Sequence, residues 1–288
     1  MFWTKRSLLT AMAWSERLTA KESVAIYQLL SQRVSLVECF PMGRVIDLLP
    51  TKFLTWVEDK NVTDLYKEYM DQSIHIITID DINYPERLRE IFEPPIVLFA
   101  KGNLQLLKTT CLGVVGGRRH SAYGQEVLKN LLPDLCQSRI TIVSGLAMGI
   151  DSSAHRLTLE ENGNTIAVIG CGIDRAYPRE NVFLQEHVAK RGLLISEYPL
   201  GSKPLRYHFP YRNRIIAGLS HGVLVVEAEK RSGSLITANL ALQENRHVFA
   251  VPGSIFNPFS MGTNELIAAG ATTVTDSSDL IDCLDYYN

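Results

Sequence analysis

The stretch Leu112-Gly113-Val114-Val115-Gly116-Gly117-Arg118-Arg119 decides the fold. A short run that is apolar throughout suits a strand of a parallel sheet covered on both faces. The glycines that follow mark a tight turn, and helical spacing resumes over 123–135. Working outward, the same grammar recurs. Apolar, mostly β-branched runs lie at 140–143, 165–169, 193–195, 223–226 and 248–251, with a weaker one at 272–274. Helical segments at 150–161, 181–190 and 235–244 alternate with them. That alternation predicts an α/β domain with a doubly wound, mostly parallel sheet. Ligands of such sheets sit outside the carboxyl ends of the strands.

Those ends are rich in glycine and small polar residues: Gly116-Gly117-Arg118-Arg119, Ser144-Gly145-Leu146, Gly170-Cys171-Gly172 and Ser232-Gly233-Ser234. Taken singly, each is a plain strand-to-helix turn. Repeated along one rim, they read better as an anion site, where backbone N–H groups and helix N-termini meet phosphate.

Residues 1–95 read differently. Apolar residues recur at helical spacing in 8–13, 24–30, 36–37, 45–49 and 53–57, broken at Pro41, Gly43 and Pro50. A strand-like run at 74–79 follows, then Pro85, Pro94 and Pro95, where a helix cannot easily continue. The expected division is a small helical domain over 1–80, a linker or edge segment over 81–105, and the sheet domain over 106–288.

The 288 residues carry 29 basic and 31 acidic side chains, a net charge of −2, which by itself argues against a nucleic-acid partner. Divided by region the sum changes meaning. Residues 1–95 hold 11 basic and 14 acidic groups, and Asp276, Asp279, Asp282 and Asp285 crowd the C-terminal end. Two windows contain no acid: 101–125, with Lys101, Lys108, Arg118 and Arg119, and 198–226, with Lys203, Arg206, Arg212 and Arg214. Both overlap strand-end loops, where a local positive field attracts a polyanion whatever the global total. Five cysteines, an odd number with no C-x-x-C spacing, disfavour a disulfide framework and a cysteine-based zinc site. With no signal-peptide core and no apolar stretch of membrane-spanning length, the expectation is a soluble, cytoplasmic protein without cofactor or metal.

Alternative chemistries fail on pattern. No G-x-x-x-x-G-K-[ST] is present, and position 175, where G-x-G-x-x-G would need its third glycine after Gly170 and Gly172, is Arg. Gly218-Leu219-Ser220-His221-Gly222 formally matches the hydrolase elbow G-x-S-x-G. That elbow needs a strand before the serine and a helix after it, whereas here helical spacing precedes and a strand follows.

The densest segment is 204–214, in which three arginines, two tyrosines, one phenylalanine and one histidine interleave. Guanidinium groups grip phosphates bidentately, and aromatic faces stack unpaired bases. The plain alternative is a loop with solvated arginines and core-packed rings. The last helical stretch, with Leu280, Ile281 and Leu284 on one side, reads equally as a partner surface or as a helix packed on its own domain.

Three longer stretches carry a specific resemblance: Gly116 to Gly124, Ser144 to His155, and Phe209 to Ser220. With Ser232 to Ala238 and Ala250 to Ser254, they resemble, in order, the hallmark segments of the DprA/Smf family. The resemblance spans roughly 80–275. It implies an extended Rossmann-like domain, preceded by a small SAM-like helical domain, that binds single-stranded DNA without sequence preference. It further implies protection of incoming DNA during natural transformation, loading of the RecA recombinase, a homodimer, and no enzymatic activity. On that reading Gly116, Gly117 and Arg118 hold a phosphate, while Lys203, Arg206, Arg212 and Arg214 track the backbone. Phe209, with Tyr207 or Tyr211 as the alternatives, stacks a base, and Ser144, Gly145, Gly172, Ser232 and Ser234 donate further hydrogen bonds. Two features depart from the family pattern. Gly117 stands where relatives commonly carry Ser or Thr, which removes one hydroxyl donor. The sequence ends at Asn288, so the winged-helix domain of some relatives, and any duplex binding through it, is not expected. The rival reading is a nucleotide-processing Rossmann enzyme of the phosphoribohydrolase type. Its P-G-G-x-G-T-x-x-E pattern is not matched at 231–239, although Glu227 at a strand end could still act as an acid.

Overall fold

Why the N-terminal residues form helices is visible at their caps. In a computed structural model, which describes residues 2–284, Thr4 and Thr19 each close a reciprocal capping box, with Ser7 and Glu22 respectively. These boxes satisfy the first free N–H groups of α1 (Lys5–Ser15) and α2 (Ala20–Arg33). A two-residue antiparallel ribbon, β1 (Phe2–Trp3) with β2 (Phe40–Pro41), ties the start of the chain down. Then come α3 (Thr51–Glu58) and α4 (Val62–Asp71). Leu36 and Val37, read as helical from their spacing, lie outside any helix and are exposed. Two apolar neighbours are too few to drive a turn onto the core.

Among the described residues, nine strands form the main sheet. One side of it is closed by β4 (Val97–Gly102) and, outermost, β3 (His75–Thr78), with the four-residue α5 (Glu86–Arg89) between them in sequence. The parallel part alternates β5 (Cys111–Val115), α6 (Ala122–Gln137), β6 (Thr141–Ser144), α7 (Ile150–Glu160) and β7 (Thr165–Ile169). It continues through α8 (Val182–Arg191), β8 (Leu193–Ser196), α9 (His208–Leu219), β9 (Gly222–Val225), α10 (Gly233–Gln243) and β10 (His247–Ala250). The described chain closes with α11 (Met261–Ala268), β11 (Thr272–Thr273) and α12 (Ser278–Leu284). Asp285, in the acidic run of the sequence, lies outside the described residues.

The spatial order is β11-β10-β9-β5-β6-β7-β8-β4-β3. All neighbours are parallel except β3–β4 and β4–β8. The α/β class and the mostly parallel sheet read from the sequence are therefore present. One strand-like run is placed differently from the helical segment that precedes it: 75–78 is the outermost strand of the sheet. The chain steps from β5 to β8 in one direction and then returns to lay β9 against the other side of β5, with Val225 opposite Val115. This reversal is the topological switch point, where the crevice between strand ends opens.

Alternate residues of β5 serve opposite faces, as strand geometry requires. Leu112 and Val114 pack with α6, α7 and α12, where Leu280 and Leu284 are fully buried. The apolar stripe of the last helix is thus spent inside its own domain. Cys111 and Val115 belong to a second cluster that runs without interruption through α9 and α10 into Leu8, Leu9 and Trp14 of α1. The helical unit and the sheet share this core.

Candidate nucleic-acid interface

At the switch point lies an open groove of about 700 Å³, walled by the loops after β5 and β9 and by the first turns of α9 and α10. Helix α9 starts at His208, inside the basic and aromatic segment 204–214. Pro210 sits in its first turn, where a missing N–H costs nothing. This places Phe209, Arg212 and Asn213, three and four residues apart, on the face that lines the groove.

Arg212 is the floor. It is 4% exposed, and its Nη1 donates to the carbonyl of Gly145 (2.6 Å) and to that of Val168. Burial pulls the guanidinium below its usual range, and the nearby Asp151 carboxylate opposes that pull. Burial raises the Asp151 carboxyl, with Arg212 and the Gly145 N–H (3.2 Å) acting the other way. Around the rim stand Arg118, Arg206 and Arg231, all exposed and lining the groove, and none has an ion-pair partner among the described residues. Arg119 is paired with Glu229 at 3.1 Å across the entrance. Tyr177 and Phe209 form a tilted ring pair on one wall, with centroids 5.0 Å apart. On the opposite wall α10 begins, with Ser232 as its cap accepting from the Ser234 N–H (3.4 Å). An open helix N-terminus beside unpaired arginines is a ready site for a phosphate.

Eight of the residues expected from the sequence are brought together here: Gly116, Gly117, Arg118, Arg206, Phe209, Arg212, Ser232 and Ser234. Five are placed otherwise. Ser144 is fully buried, and its hydroxyl donates to the Val114 carbonyl (2.6 Å). The Gly172 N–H donates to the Ser202 carbonyl (3.1 Å). Gly145 is covered by Arg212, since a Cβ there would lie 2.4 Å from the guanidinium. Lys203 is exposed on the approach to α9 but does not line the groove. Arg214 is 5% exposed on the other side of α9. It pairs with Glu197 at 2.6 Å, donates to the Glu93 carbonyl (3.0 Å) and lies 4.0 Å over the Tyr211 ring. It therefore does not reach a strand lying in this groove.

The strand-end glycines also serve another purpose than the one expected. The anion at the N-terminus of α6 is the protein's own: Glu227, 1% exposed, accepts from the Ser121 N–H (2.8 Å) and hydroxyl (2.6 Å). That geometry gives Glu227 a structural task. The Gly117 N–H is likewise taken, donating to the Glu227 carbonyl (2.8 Å). Gly116 allows Ile150 to pack closely, as a Cβ would fall 2.5 Å from its side chain. Gly149, at φ +85°, passes under the Gly117 carbonyl, where a Cβ would stand 2.2 Å away.

Arg231, Tyr177 and Asn213 line the groove without having been singled out from the sequence. Arg231 directly precedes the Ser-Gly-Ser cap, a readable signal. Tyr177 lies outside the aromatic-rich segment and meets Phe209 only through the fold. Among the described residues no cluster of His, Cys, Asp and Glu could hold a metal, and no helix is long and apolar enough to cross a membrane.

Residues 75–285 match the family model described as DNA recombination-mediator protein A. The chain is 47% identical over 221 residues to the DNA processing protein DprA of Bacillus subtilis, covering 76% of this chain and 74% of that one. It is 46% identical over 213 residues to protein Smf of Escherichia coli, covering 74% of this chain and 57% of the longer Smf. The X-ray structure of DNA processing protein A from Streptococcus pneumoniae superposes with a TM-score of 0.88 at 40% identity, over 98% of both chains. DNA processing protein A from Helicobacter pylori, whose structure is described in terms of single-stranded DNA binding, gives 0.67 at 30% identity over 74% of this chain and 96% of that one.

Proposed function

Since the chain belongs to the DNA recombination-mediator protein A family, with a role in DNA processing, we propose that its switch-point groove binds single-stranded DNA without sequence preference. The carrying observation is the set of three unpaired rim arginines, Arg118, Arg206 and Arg231, beside the Phe209–Tyr177 ring pair. The arginines take phosphates, with the N-terminus of α10 as an additional donor. Arg212 supplies positive charge from below, and the rings offer a face to an unpaired base. The contacts assigned here go to phosphates and to the face of a base, so binding follows the backbone and the stacking. The bound strand is shielded from nucleases and passed to the RecA recombinase during natural transformation, by a cytoplasmic homodimer that carries out no chemistry itself. The family's description as a recombination mediator and the ligand named for the Helicobacter relative support this reading.

Fluorescence anisotropy with labelled oligo-dT and a matching duplex, over a salt series, tests the core of it. The single strand binds more tightly, and its log–log salt slope is about −0.7 per phosphate neutralised, hence roughly −2 for the three rim arginines. Equal affinity for both forms, or no binding at low salt, refutes the reading. A strand-exchange assay with RecA and sedimentation at working concentration test the recombinase step and the dimer.

A further inference from the structure

The segment between β8 and α9 carries Lys203 and Arg206, and its own fastening lies away from the groove. Within the sheet domain the Gly201 N–H donates to Asp174 Oδ1 (2.9 Å), and Arg175 Nε donates to the Gly201 carbonyl (3.0 Å). Two further bonds cross to the helical unit. The Leu200 N–H donates to the Tyr69 phenol oxygen (2.8 Å), and the Ser202 hydroxyl donates to Glu16 Oε1 (2.5 Å).

The two acceptors differ in setting: Tyr69 is packed inside the helical unit, whereas Glu16 is exposed at the end of α1. Tyr69, near the end of α4, is 2% exposed, with its ring centroid 5.5 Å from that of Trp14 and 5.0 Å from that of Phe99. Glu16 caps α1 in the left-handed region at φ 47°, a position that favours glycine or asparagine. A glutamate kept there needs a reason beyond ending the helix, and its reach to Ser202 provides one. Ser202 is itself buried and directly precedes Lys203.

We infer that Glu16 and Tyr69 are positioning residues for DNA binding. They fix the segment that presents Arg206 to the groove, although neither Glu16 nor Tyr69 lines it. This rests on the proposed reading of the groove. A fixed segment meets the strand with its ordering already done, whereas a loosened one must order on binding and loses affinity accordingly.

The test is a double-mutant cycle in the full chain, read by anisotropy with labelled oligo-dT across a salt series. Glu16→Ala weakens binding roughly three- to tenfold and flattens the salt slope, because one mobile cation no longer lies at a phosphate. Glu16→Gln, whose amide oxygen still accepts from Ser202, binds like wild type, and Tyr69→Phe behaves like Glu16→Ala. Glu16→Ala combined with Arg206→Ala loses less than the product of the single losses, whereas its combination with Arg118→Ala loses the full product. Amide exchange at Leu200 in the absence of DNA, faster in Tyr69→Phe, reports the anchor itself. Thermal melts show whether each variant is folded. Wild-type affinity and slope in folded Glu16→Ala and Tyr69→Phe, while Arg206→Ala is impaired, overturn this inference alone. Full affinity in Arg206→Ala overturns the groove reading and this inference with it.

Discussion

Arg212 and Arg214 stand two residues apart in one basic segment and are committed to opposite faces of α9. A charge count cannot separate them, because which arginine meets the groove depends on the phase of a helix whose start the sequence left unmarked. The acid-free window also stops one residue short of Glu197, and the fold brings Glu197 back onto Arg214. Distinct outcomes follow for each side chain. Arg118→Ala weakens single-strand binding and reduces the salt slope by about 0.7. Phe209→Ala weakens it by roughly 1–3 kcal/mol, with the slope almost unchanged, since stacking releases no counterions. Arg214→Ala leaves the slope alone but lowers stability by about 3 kcal/mol in denaturant titration, because the half-buried Glu197 is left without its partner. Sequence reasoning named eight of the residues that line the groove. It could not find Tyr177, whose role exists only through its contact with Phe209.

At the level of elements, the strand runs and most helices were legible, because a sheet covered on both faces leaves an unbroken apolar signature. The glycine-rich ends were legible as positions and not as purposes. Three of them yield to protein instead of phosphate: Gly116 to Ile150, Gly145 to Arg212, and Gly149 to the Gly117 carbonyl. Gly149→Ala, which combines a positive φ with that close approach, lowers stability by roughly 1–3 kcal/mol and weakens DNA binding through the displaced 116–118 loop. A melt and one binding isotherm check both effects. At position 117 a Cβ would stand 2.5 Å from the Arg119 carbonyl, so the loop is shaped for glycine. Adding a hydroxyl there with Gly117→Ser therefore gives no tighter binding. A gain in affinity would mean that the missing hydroxyl matters more than the loop shape.

For the whole molecule, the net charge of −2 says little, because acids and bases are sorted by place. Acid stability does depend on the whole interior. His155 is fully buried, and burial first, then the field of Arg212, holds it neutral down to about 3. His221 is held neutral to about 4, chiefly by burial. Both take up a proton in the unfolded chain near 6.5, so stability is complete above that pH and declines as pH falls toward their folded values. The decline approaches about 1.4 kcal/mol per pH unit for each histidine, and urea titrations between pH 7 and 5 measure it. The core shared by the helical unit and the sheet predicts one cooperative melting transition. The position of β9 reaches beyond the finished protein. As the chain leaves the ribosome, β5 can pair with β6, but its other edge stays open until residues 222–225 are made. At roughly 5–20 residues per second, that edge waits for several seconds as a bare row of backbone donors and acceptors. The middle of the sheet, its most protected part once complete, is thus the part most open to a wrong neighbour during synthesis.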